Sequence, residues 1–372
     1  MKIVKVEVIG LRKQLACSMA ISRGGFSVRT HTLVRLWTDE GQSGLGEAVG
    51  NADYAQDLLQ GSLGRSILGQ DPTAIERIRH LLMGERVYYE RKGSAVAAAS
   101  ALETACWDLF GKALGLPVHA LLGGRCHEDL RAYASDIYWE ADPSSMARAA
   151  ERILAQGHTA IKAHLGCAPP REETARLQAI RDAVGPETLF MVDLNAGYDL
   201  RAAREAVARW AHLDLHWLEE PLHPDHLDAA ADLRAHSPIP IAAGENEYRL
   251  HGFQSLFRAG ALDVAMPDIA RVGGLWETRQ VSVLADAWGV PVSPHNFSSG
   301  VLLAATRHLL AATPNASMLE MDTSGNAVYG ELLLEPAEPR NGRVKIPTAP
   351  GLGVELTQAT LERHGVARAV LE

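Results

Sequence analysis

The stretch that decides the fold is LFMVDLNAGYDLRAAREAVARWAHLDLHWLEEP, residues 189–221. It opens with a short apolar run that includes Asp193, continues into a segment rich in Ala and Arg, and closes with a second apolar run that includes Glu219. A short apolar run bounded by polar residues is typical of a buried strand, and the segment between the two runs is long enough for a helix. The pattern therefore predicts strand, helix and strand, which form one parallel βαβ unit.

The same unit repeats along the chain from about residue 130 onward. Helical stretches such as residues 147–157 and 171–185 separate the apolar runs, and each of these two ends at a glycine, as helices often do. Eight units of this kind favour a closed barrel over an open sheet. We therefore predict an α/β fold with a (β/α) TIM-type barrel. The predicted strands are residues 131–137, 160–164, 189–195, 215–221, 239–246, 262–269, 290–296 and 317–322.

Residues before about 128 do not follow this period. The N-terminus alternates apolar and polar residues as a strand does, residues 30–37 and 44–48 also read as strands, and residues 93–115 read as one long helix. This part is predicted to be a separate α+β unit, and the short pieces VKIP and GLGVEL near the C-terminus are expected to return to it. The predicted division is an N-terminal capping domain 1–127, a catalytic barrel 128–322 and a C-terminal segment 323–372.

Composition narrows the classes of function. Of 372 residues, 47% are apolar and 22% are charged, which is typical of a globular protein. The formal net charge is -9, and no basic run could follow a phosphate backbone, so nucleic acid is not expected as a partner. The chain has no apolar stretch of the about 20 residues that span a bilayer, no apolar signal-peptide core and no C-x-x-C pair. We therefore expect a cytoplasmic protein without a membrane partner.

Acidic residues stand near the ends of three successive predicted strands. Asp193 and Glu219 are 26 residues apart, and Glu245 follows after another 26, so each lies one βα unit from the next. A barrel gathers such strand ends around one mouth, where its active site lies. Three carboxylates give the all-oxygen ligation that Mg²⁺ prefers, whereas zinc would favour His or Cys. We predict a Mg²⁺ site, with solvated loop carboxylates as the alternative.

Nitrogen bases stand beside this predicted metal site. Asp268 ends the sixth strand and His295 the seventh, so the carboxylate could orient the imidazole and leave its other nitrogen free as a base. Lys162 and His164 share the second strand and point the same way, because strand side chains repeat with a period of two. Glu320 lies at the eighth strand. The alternatives are a structural Asp–His pair, a surface lysine and a histidine of the core.

Together these groups suit the removal of a proton from the carbon next to a carboxylate. That C–H bond is a very weak acid, so it ionises only if the enolate is stabilised as it forms. A metal ion on the enolate oxygens, with hydrogen bonds from Lys162 and a protonated Glu320, is expected to provide this stabilisation.

As an ordered set, these motifs resemble the enolase superfamily and, within it, the mandelate racemase-like group. The resemblance covers nearly the whole chain and rests on AIKAH, MVDLN, WLEEP, AAGEN, MPDIARVGG, SPHNFSSG, LEMD, WDLFGKALGLPVHALLGG and IPTAPGLGVEL. A Lys or His base beside Mg²⁺ that stabilises an enediolate is the chemistry known for that superfamily. The resemblance implies that Asp268 and His295 form the base and that Glu320 hydrogen-bonds the substrate carboxylate. The implied Mg²⁺ ligands are Asp193, Glu219 and Glu245.

One position departs from the pattern of the family. Lys162 falls at the first Lys of the family's K-x-K motif, and His164 stands where the second Lys is expected. Positive charge from Mg²⁺ and Lys162 favours the neutral imidazole, so His164 is expected to accept a proton at neutral pH. We interpret His164 as an acid or base on the second face of the substrate.

The resemblance also implies specificity loops in the N-terminal unit, here residues 18–29 and 47–54, that close over the barrel. Cationic side chains in the first loop could bind hydroxyls or a second carboxylate of the substrate, and aromatic side chains after the first barrel strand could line the pocket. The alternatives are solvent-facing charges and ordinary aromatic packing. The substrate-binding candidates are Arg23, Arg29, Tyr54, Tyr138, Trp139 and Asn195.

The predicted function is a Mg²⁺-dependent dehydratase of an acid sugar. A base takes the proton next to the carboxylate, and protonated His295 helps to expel the β-hydroxyl as water. This prediction rests on how common the activity is in the group and on the polar loops. A racemase or epimerase would need both faces, a lactone cycloisomerase would expel a carboxylate, and a non-catalytic descendant would only bind ligand. The expected partner is a small carboxylate, and the resemblance implies a homo-oligomer.

Overall fold

The N-terminal unit is built on a hairpin of two long strands. The computed structural model describes residues 1–84 and 90–372. Strands β1 (Ile3–Ile21) and β2 (Gly24–Thr38) pair antiparallel, and β3 (Ser43–Ala48) pairs antiparallel with β2. The apolar residues that alternate with polar ones at the N-terminus, such as Ile3, Val6 and Val8, are buried in this sheet, and the polar Glu7 between them is buried as well.

Helices follow the strands in the N-terminal unit. They are α1 (Ala52–Gln60), α2 (Ser62–Ser66), α3 (Ile75–Arg79), a π-helical turn (His80–Gly84), α4 (Ser94–Leu114) and α5 (Val118–Leu121). Helix α4 packs directly on β3, where Gly44 and Gly46 allow the close approach. A Cβ on either glycine would collide with the backbone oxygen of Ala105 or Ala101. The GLGEA motif therefore places β3 against α4.

The barrel consists of short, buried parallel strands that alternate with helices. Its strands are β4 (Asp129–Ile137), β5 (Ala160–His164), β6 (Leu189–Asp193), β7 (Leu215–Glu219), β8 (Ile241–Ala243), β9 (Val264–Ala265) and β10 (Leu319–Met321). Its helices are α6 (Pro143–Ala155), α7 (Pro170–Val184), α8 (Leu200–Trp210), a 3₁₀ turn (Ala211–Leu213), α9 (Leu227–His236), α10 (Arg249–Ala259), α11 (Ile269–Val272), α12 (Leu275–Ala287) and α13 (Gly300–Ala311). The sheet order is β10-β4-β5-β6-β7-β8-β9. The prediction of an α/β barrel joined to a separate α+β unit is confirmed.

The seventh predicted strand, residues 290–296, differs from the prediction. Within this segment, which the structure describes in full, only Val292 forms bridges, to Ala265 on one side and to Ala316 on the other. These two parallel bridges close the ring of strands between β9 and β10. Pro291 and Pro294 flank Val292, and because proline has no N–H to donate, a continuous ladder cannot form there.

The C-terminal segment divides between the two units. It contains α14 (Ala327–Glu331), β11 (Arg343–Lys345), α15 (Gln358–His364) and β12 (Gly365–Leu371). The expectation that VKIP returns to the N-terminal unit is wrong, because β11 pairs antiparallel with β4 of the barrel and Val344 is buried in a cluster with Leu130. Strand β12 pairs with β1, and in GLGVEL the Leu352 N–H donates to Asp108 of α4 at 2.8 Å.

The hydrophobic core of the N-terminal unit continues into one side of the barrel. The cluster that contains Leu45 and Leu102 also contains Leu275 of α12 and Leu302 of α13. Helices α6 to α9 contribute to a separate cluster. The N-terminal unit therefore rests on the side of the barrel that carries α11 to α13. The domain boundaries at residues 127 and 322 stay predictions. Among the described residues, no helix has both the length and the apolar character needed to cross a membrane.

Candidate active site

Three carboxylates converge at the C-terminal ends of neighbouring strands. Asp193 ends β6, Glu219 ends β7 and Glu245 follows β8. Each offers an oxygen, and these oxygens all lie within 4.8 Å of one another. The set is all-oxygen and negatively charged, which fits a hard divalent cation such as Mg²⁺. The spacing of one βα unit therefore brought together the residues that it was expected to bring together.

Lys162 lies buried beneath this cluster. Its Nζ is 2.8 Å from Glu219 Oε1, 2.8 Å from Glu320 Oε1 and 3.6 Å from Asp193 Oδ2. Burial alone would lower the pKa of Lys162, but the carboxylates of Glu219 and Glu320 raise it well above its usual range. Lys162 is therefore a fixed ammonium group whose charge is shared among three carboxylates.

One lysine does not neutralise this much carboxylate charge. Burial opposes the ionisation of Asp193, yet Lys162 and His164 hold its pKa at about 2. In contrast, burial raises the pKa of Glu219 to about 8, although Lys162 opposes the shift and Asp193 supports it. Glu219 is thus the last of these groups to ionise. The cluster retains an excess of negative charge that a divalent cation would neutralise.

Asp268 and His295 form a hydrogen-bonded pair on one side of the cluster. His295 Nδ1 lies 2.7 Å from Asp268 Oδ2, and its Nε2 lies 3.4 Å from Glu245 Oε2. The other oxygen of Asp268 accepts the N–H of Ala270 at 2.8 Å. Burial opposes the charged imidazole, but the charge of Glu245 and the hydrogen bond that Nδ1 donates to Asp268 raise the pKa of His295 to about 10. The carboxylate thus fixes Nδ1 and leaves Nε2 facing the carboxylate cluster.

His164 lies on the opposite side, on the same strand as Lys162. Its Nδ1 is 3.5 Å from Asp193 Oδ2 and 3.3 Å from Asn195 Oδ1, and its Nε2 is 3.3 Å from Ser135 Oγ. The ring stacks on Tyr138 with centroids 4.9 Å apart and planes 7° apart. Polar contacts at both nitrogens and an aromatic contact on one face fix the orientation of this imidazole.

Glu320 lies at the site, between the Asn296 backbone and Lys162. Its Oε2 accepts the backbone N–H of Asn296 at 2.8 Å, and its Oε1 contacts Lys162. Burial opposes its ionisation, but Lys162 and His295 hold the pKa of Glu320 at about 2. The ammonium of Lys162 thus favours the carboxylate form of Glu320 in this arrangement, and a protonated Glu320 stays a prediction.

Three of the loop candidates have polar contacts that define their places. Asn195 donates its backbone N–H to Asp193 at 2.7 Å and its Nδ2 at 2.9 Å, so it holds that carboxylate. Arg23 donates to the carbonyl oxygens of Asn195 and Ala196, which docks the β1–β2 hairpin on the barrel. Arg29 is buried and bonded to Asp322 at 3.1 Å. The two arginines are thus engaged within the chain.

The aromatic candidates differ in their surroundings. Tyr138 lies against His164, whereas Tyr54 lies on α1 with 63% of its surface exposed. Trp139 donates its Nε1 to Glu173 at 3.2 Å and lies under Arg176 at 4.6 Å, so it packs against α7. Among the described contacts of Tyr54 and Trp139, none is with the carboxylate cluster. Substrate binding by these two residues stays a prediction.

Several residues that hold the site groups were missed in the sequence. Trp217 Nε1 donates to Glu219 at 3.2 Å, and Arg271 Nη1 donates to the backbone oxygen of Glu245 at 2.9 Å. Burial and the charge of Glu245 raise the pKa of Glu220 well above its usual range. Their positions inside WLEEP and MPDIARVGG were a usable signal, because neighbours of a strand-end ligand lie at the same mouth.

The sequence of this chain matches two family models and several characterised enzymes. The family model for the mandelate racemase/muconate lactonizing enzyme N-terminal domain matches residues 3–123, and the enolase C-terminal domain-like model matches residues 145–360. D-galactarolactone cycloisomerase of Agrobacterium fabrum is 33% identical, with 97% of this chain and 98% of the relative covered. D-xylonate dehydratase of Haloferax volcanii is 31% identical, with 90% and 85% covered.

A solved structure extends the comparison to a metal-bound protein. The crystal structure of a racemase from Streptomyces coelicolor A3(2) with bound magnesium has a TM-score of 0.91 and 30% sequence identity, and the match covers 98% of this chain and 100% of that chain. The relatives therefore include a cycloisomerase, a dehydratase and a racemase at about equal similarity.

Proposed function

This chain belongs to the mandelate racemase/muconate lactonizing enzyme family of the enolase superfamily, and from that premise we propose that it is a Mg²⁺-dependent dehydratase of an acid sugar. The observation that carries the proposal is the convergence of three carboxylates between two sets of nitrogen groups. Lys162 lies 2.8 Å from Glu219 on one side, and His295 lies 3.4 Å from Glu245 on the other.

The metal-binding part of the proposal assigns Mg²⁺ to the carboxylate cluster. Asp193, Glu219 and Glu245 would hold the ion, since their oxygens lie within 4.8 Å of one another and form a hard, anionic donor set. When bound, Mg²⁺ supplies positive charge that stabilises the enolate oxygens and offsets the carboxylate charge that raises the pKa of His295.

The proton-transfer part of the proposal assigns the chemistry to the dyad. His295 Nε2 takes the proton from the carbon next to the carboxylate, with Asp268 orienting the ring through Nδ1. The same nitrogen then returns the proton to the β-hydroxyl as its C–O bond breaks, and water leaves. The enol product becomes a 2-keto-3-deoxy acid. Lys162 contributes a fixed positive charge at the opposite side.

A lactone cycloisomerase is the second candidate. The observation that favours it is the cycloisomerase of Agrobacterium fabrum, whose match covers 97% of this chain and 98% of that protein. The same base would remove the same proton, but a ring carboxylate would leave instead of water. The two candidates therefore differ in the leaving group and share the carboxylate cluster and the dyad.

The proposal is tested with a panel of mono-acid and diacid sugars and their lactones in D₂O with Mg²⁺, followed by proton NMR. We expect at least one acid sugar to form a deuterated 2-keto-3-deoxy acid, with activity lost on chelation and restored by Mg²⁺. Ring opening of a lactone without dehydration would favour the cycloisomerase. Exchange without keto acid would indicate an epimerase. Mg²⁺ binding without any turnover or exchange would refute catalysis on these substrates.

A further inference from the structure

The dyad lies on chain segments that the barrel sheet holds weakly. Asp268 follows Pro267, and His295 follows Pro294. Strand β9 has two residues, and the next segment contributes single bridges instead of a ladder. Proline offers no N–H for strand pairing, so the ladder cannot extend through these positions. Backbone bonds such as that from the Ser293 N–H to Ala265 O end before the dyad, and the Asn296 N–H donates to Glu320. The placement of both dyad side chains therefore depends in part on contacts other than strand pairing.

Two buried carboxylates of the N-terminal unit provide such contacts, Glu47 at β3 and Glu103 on α4. We propose that Glu47 and Glu103 are positioning residues for the Asp268–His295 dyad, so that the N-terminal unit sets the geometry of the base as well as covering the barrel. This inference rests on the proposed role of that dyad in proton abstraction.

Glu47 binds the segment that connects His295 to α13. Its Oε1 accepts Ser298 Oγ at 2.7 Å, and its Oε2 accepts Ser299 Oγ at 2.6 Å. Backbone N–H groups at the start of α13 also donate to it at 3.2 Å. Burial opposes ionisation, but His31 and Ser299 hold the pKa of Glu47 below its usual range. A buried carboxylate with this many donors at a helix N-terminus fixes the connecting segment.

Glu103 binds the start of α12, which follows the Asp268 segment. Gly274 precedes α12 and has no side chain that could cap it. Glu103 takes that place, since its Oε2 accepts the N–H of Leu275 at 2.7 Å and its Oε1 accepts that of Trp276 at 3.1 Å. The first N–H groups of a helix have no partner within the helix. A carboxylate from another unit therefore completes this helix terminus.

The short helix α11, between Asp268 and α12, is tied to the N-terminal unit as well. The N–H of Val49 donates to Ala270 O at 3.2 Å, and the N–H of Gly273 donates to Ser100 Oγ at 2.9 Å. Because the N–H of Ala270 in turn donates to Asp268 Oδ1 at 2.8 Å, a shift of α11 would move the dyad carboxylate.

The loop after His164 has a comparable carboxylate, but it comes from the barrel itself. Glu173 of α7 is buried, and its Oε1 accepts the N–H groups of Gly166 at 3.1 Å and Ala168 at 2.9 Å. Loss of this carboxylate should disturb the His164 face. Glu173 is therefore the comparator for the opposite side of the site.

The test replaces buried carboxylates one at a time by the amide. Glu7 gives a matched control, because it is 2% exposed and its partners Arg35 and Arg368 belong to the sheet of the N-terminal unit. The variants are Glu47→Gln, Glu103→Gln, Glu173→Gln and Glu7→Gln. Turnover is measured together with solvent exchange of two acid sugars that are epimeric at the α-carbon. The epimer that stops exchanging in His295→Asn defines the dyad face.

We expect Glu47→Gln and Glu103→Gln to lower kcat and exchange on the dyad face by about 10- to 10²-fold, because displacement of a reacting group by about 1 Å costs about 10²-fold. KM should change little, since the lost interaction acts on the chemical step. Exchange on the His164 face should persist in both variants and fall in Glu173→Gln. Glu7→Gln should leave kcat unchanged.

Equal losses on both faces, or a loss in Glu7→Gln as large as in Glu47→Gln, would indicate general destabilisation and overturn the inference. Thermal unfolding identifies a variant that fails to fold. In that case Ser298→Ala removes a donor to Glu47, and Ser100→Ala removes the acceptor of the Gly273 N–H. We expect a smaller loss with the same preference for the dyad face. Loss without that preference would again overturn the inference.

A second measurement does not depend on the substrate. The imidazole signals of His295 in ¹⁵N NMR spectra, assigned by their loss in His295→Asn, should shift or broaden in Glu47→Gln and stay unchanged in Glu7→Gln. If this occurs while no acid sugar is turned over, the proposed function fails and the positioning role stands. If turnover is found but Glu47→Gln leaves these signals and the dyad-face rate unchanged, the positioning role fails alone.

Discussion

The two faces of the candidate site are held in different ways. Lys162 and His164 lie on β5, which pairs with β4 on one side and with β6 on the other. Asp268 and His295 follow prolines on segments with little strand pairing. Glu320 of the barrel accepts the N–H of Asn296 beside His295, and two carboxylates of the N-terminal unit, Glu47 and Glu103, bind the segments that follow the dyad. One face is therefore part of the barrel sheet, and the other depends in part on a second unit of the chain.

This difference shows that the two sides of one barrel site can be held by different kinds of contact. A ladder holds its side chains through many mutually supporting backbone bonds. A side chain at the end of a short segment depends on fewer contacts, so the loss of one of them matters more. The unit that provides those contacts also carries the loops at residues 18–29 and 47–54, which are predicted to select the substrate.

The largest expected effect comes from removing the base on the dyad face, which carries Asp268 and His295. His295→Asn should lower kcat by about 10²- to 10⁴-fold, because a positioned general base contributes that much. Mg²⁺ binding, measured by calorimetry, should persist because Asp193, Glu219 and Glu245 remain. His236→Asn is the control, since that side chain is 72% exposed. Activity retained in His295→Asn would show that the dyad is not the base, and the dyad face would then have no special role in the elimination.

A smaller effect is expected from the opposite face. His164→Ala should lower the rate of dehydration by about tenfold or less, below the range for loss of a general base, because elimination is proposed to use His295 alone. Exchange of the epimer that faces His164 should stop. Tyr138→Phe, which keeps the ring stacked on His164, should retain that exchange. A loss in His164→Ala as large as in His295→Asn would mean that both faces take part in the elimination.

The barrel and the centre of its site could be predicted because both follow from a short period in the sequence. One acidic residue for each βα unit places Asp193, Glu219 and Glu245 at one mouth, whatever the details of packing. The same local pattern predicts a strand at residues 290–296. It does not show that only Val292, between Pro291 and Pro294, forms bridges there.

The remaining features depend on contacts between distant parts of the chain. Glu47 and Ser299 are 252 residues apart, and Glu103 and Leu275 are 172 apart, so no local pattern indicates that they meet. The ion pair between Glu320 and Lys162, 2.8 Å apart, likewise joins side chains that are far apart in the sequence. The oligomeric state stays a prediction, because it depends on contacts between chains.

The smallest expected effect concerns the stability of the contact between α5 and α13, the helix that follows the His295 segment. His119 of α5 and His308 of α13 stack with centroids 5.3 Å apart, and the N–H of His119 donates to His308 Nδ1 at 3.2 Å. Burial, helped by the neighbouring His119, lowers the pKa of His308 from 6.5 to about 3. Below pH 6.5 the unfolded chain therefore takes up a proton that the folded chain does not accept until about pH 3.

The free energy of unfolding should consequently fall as the pH falls from 6.5 toward 3, with a slope of up to about 1.4 kcal/mol per pH unit from this one group. His308→Asn keeps an acceptor near Nδ1 but cannot take up the proton, so its denaturant-unfolding free energy should depend less steeply on pH over that range. His236→Asn, which removes an exposed histidine, should keep the slope of the parent protein. Parallel slopes for all three proteins would show that His308 does not make the stability of this interface depend on pH.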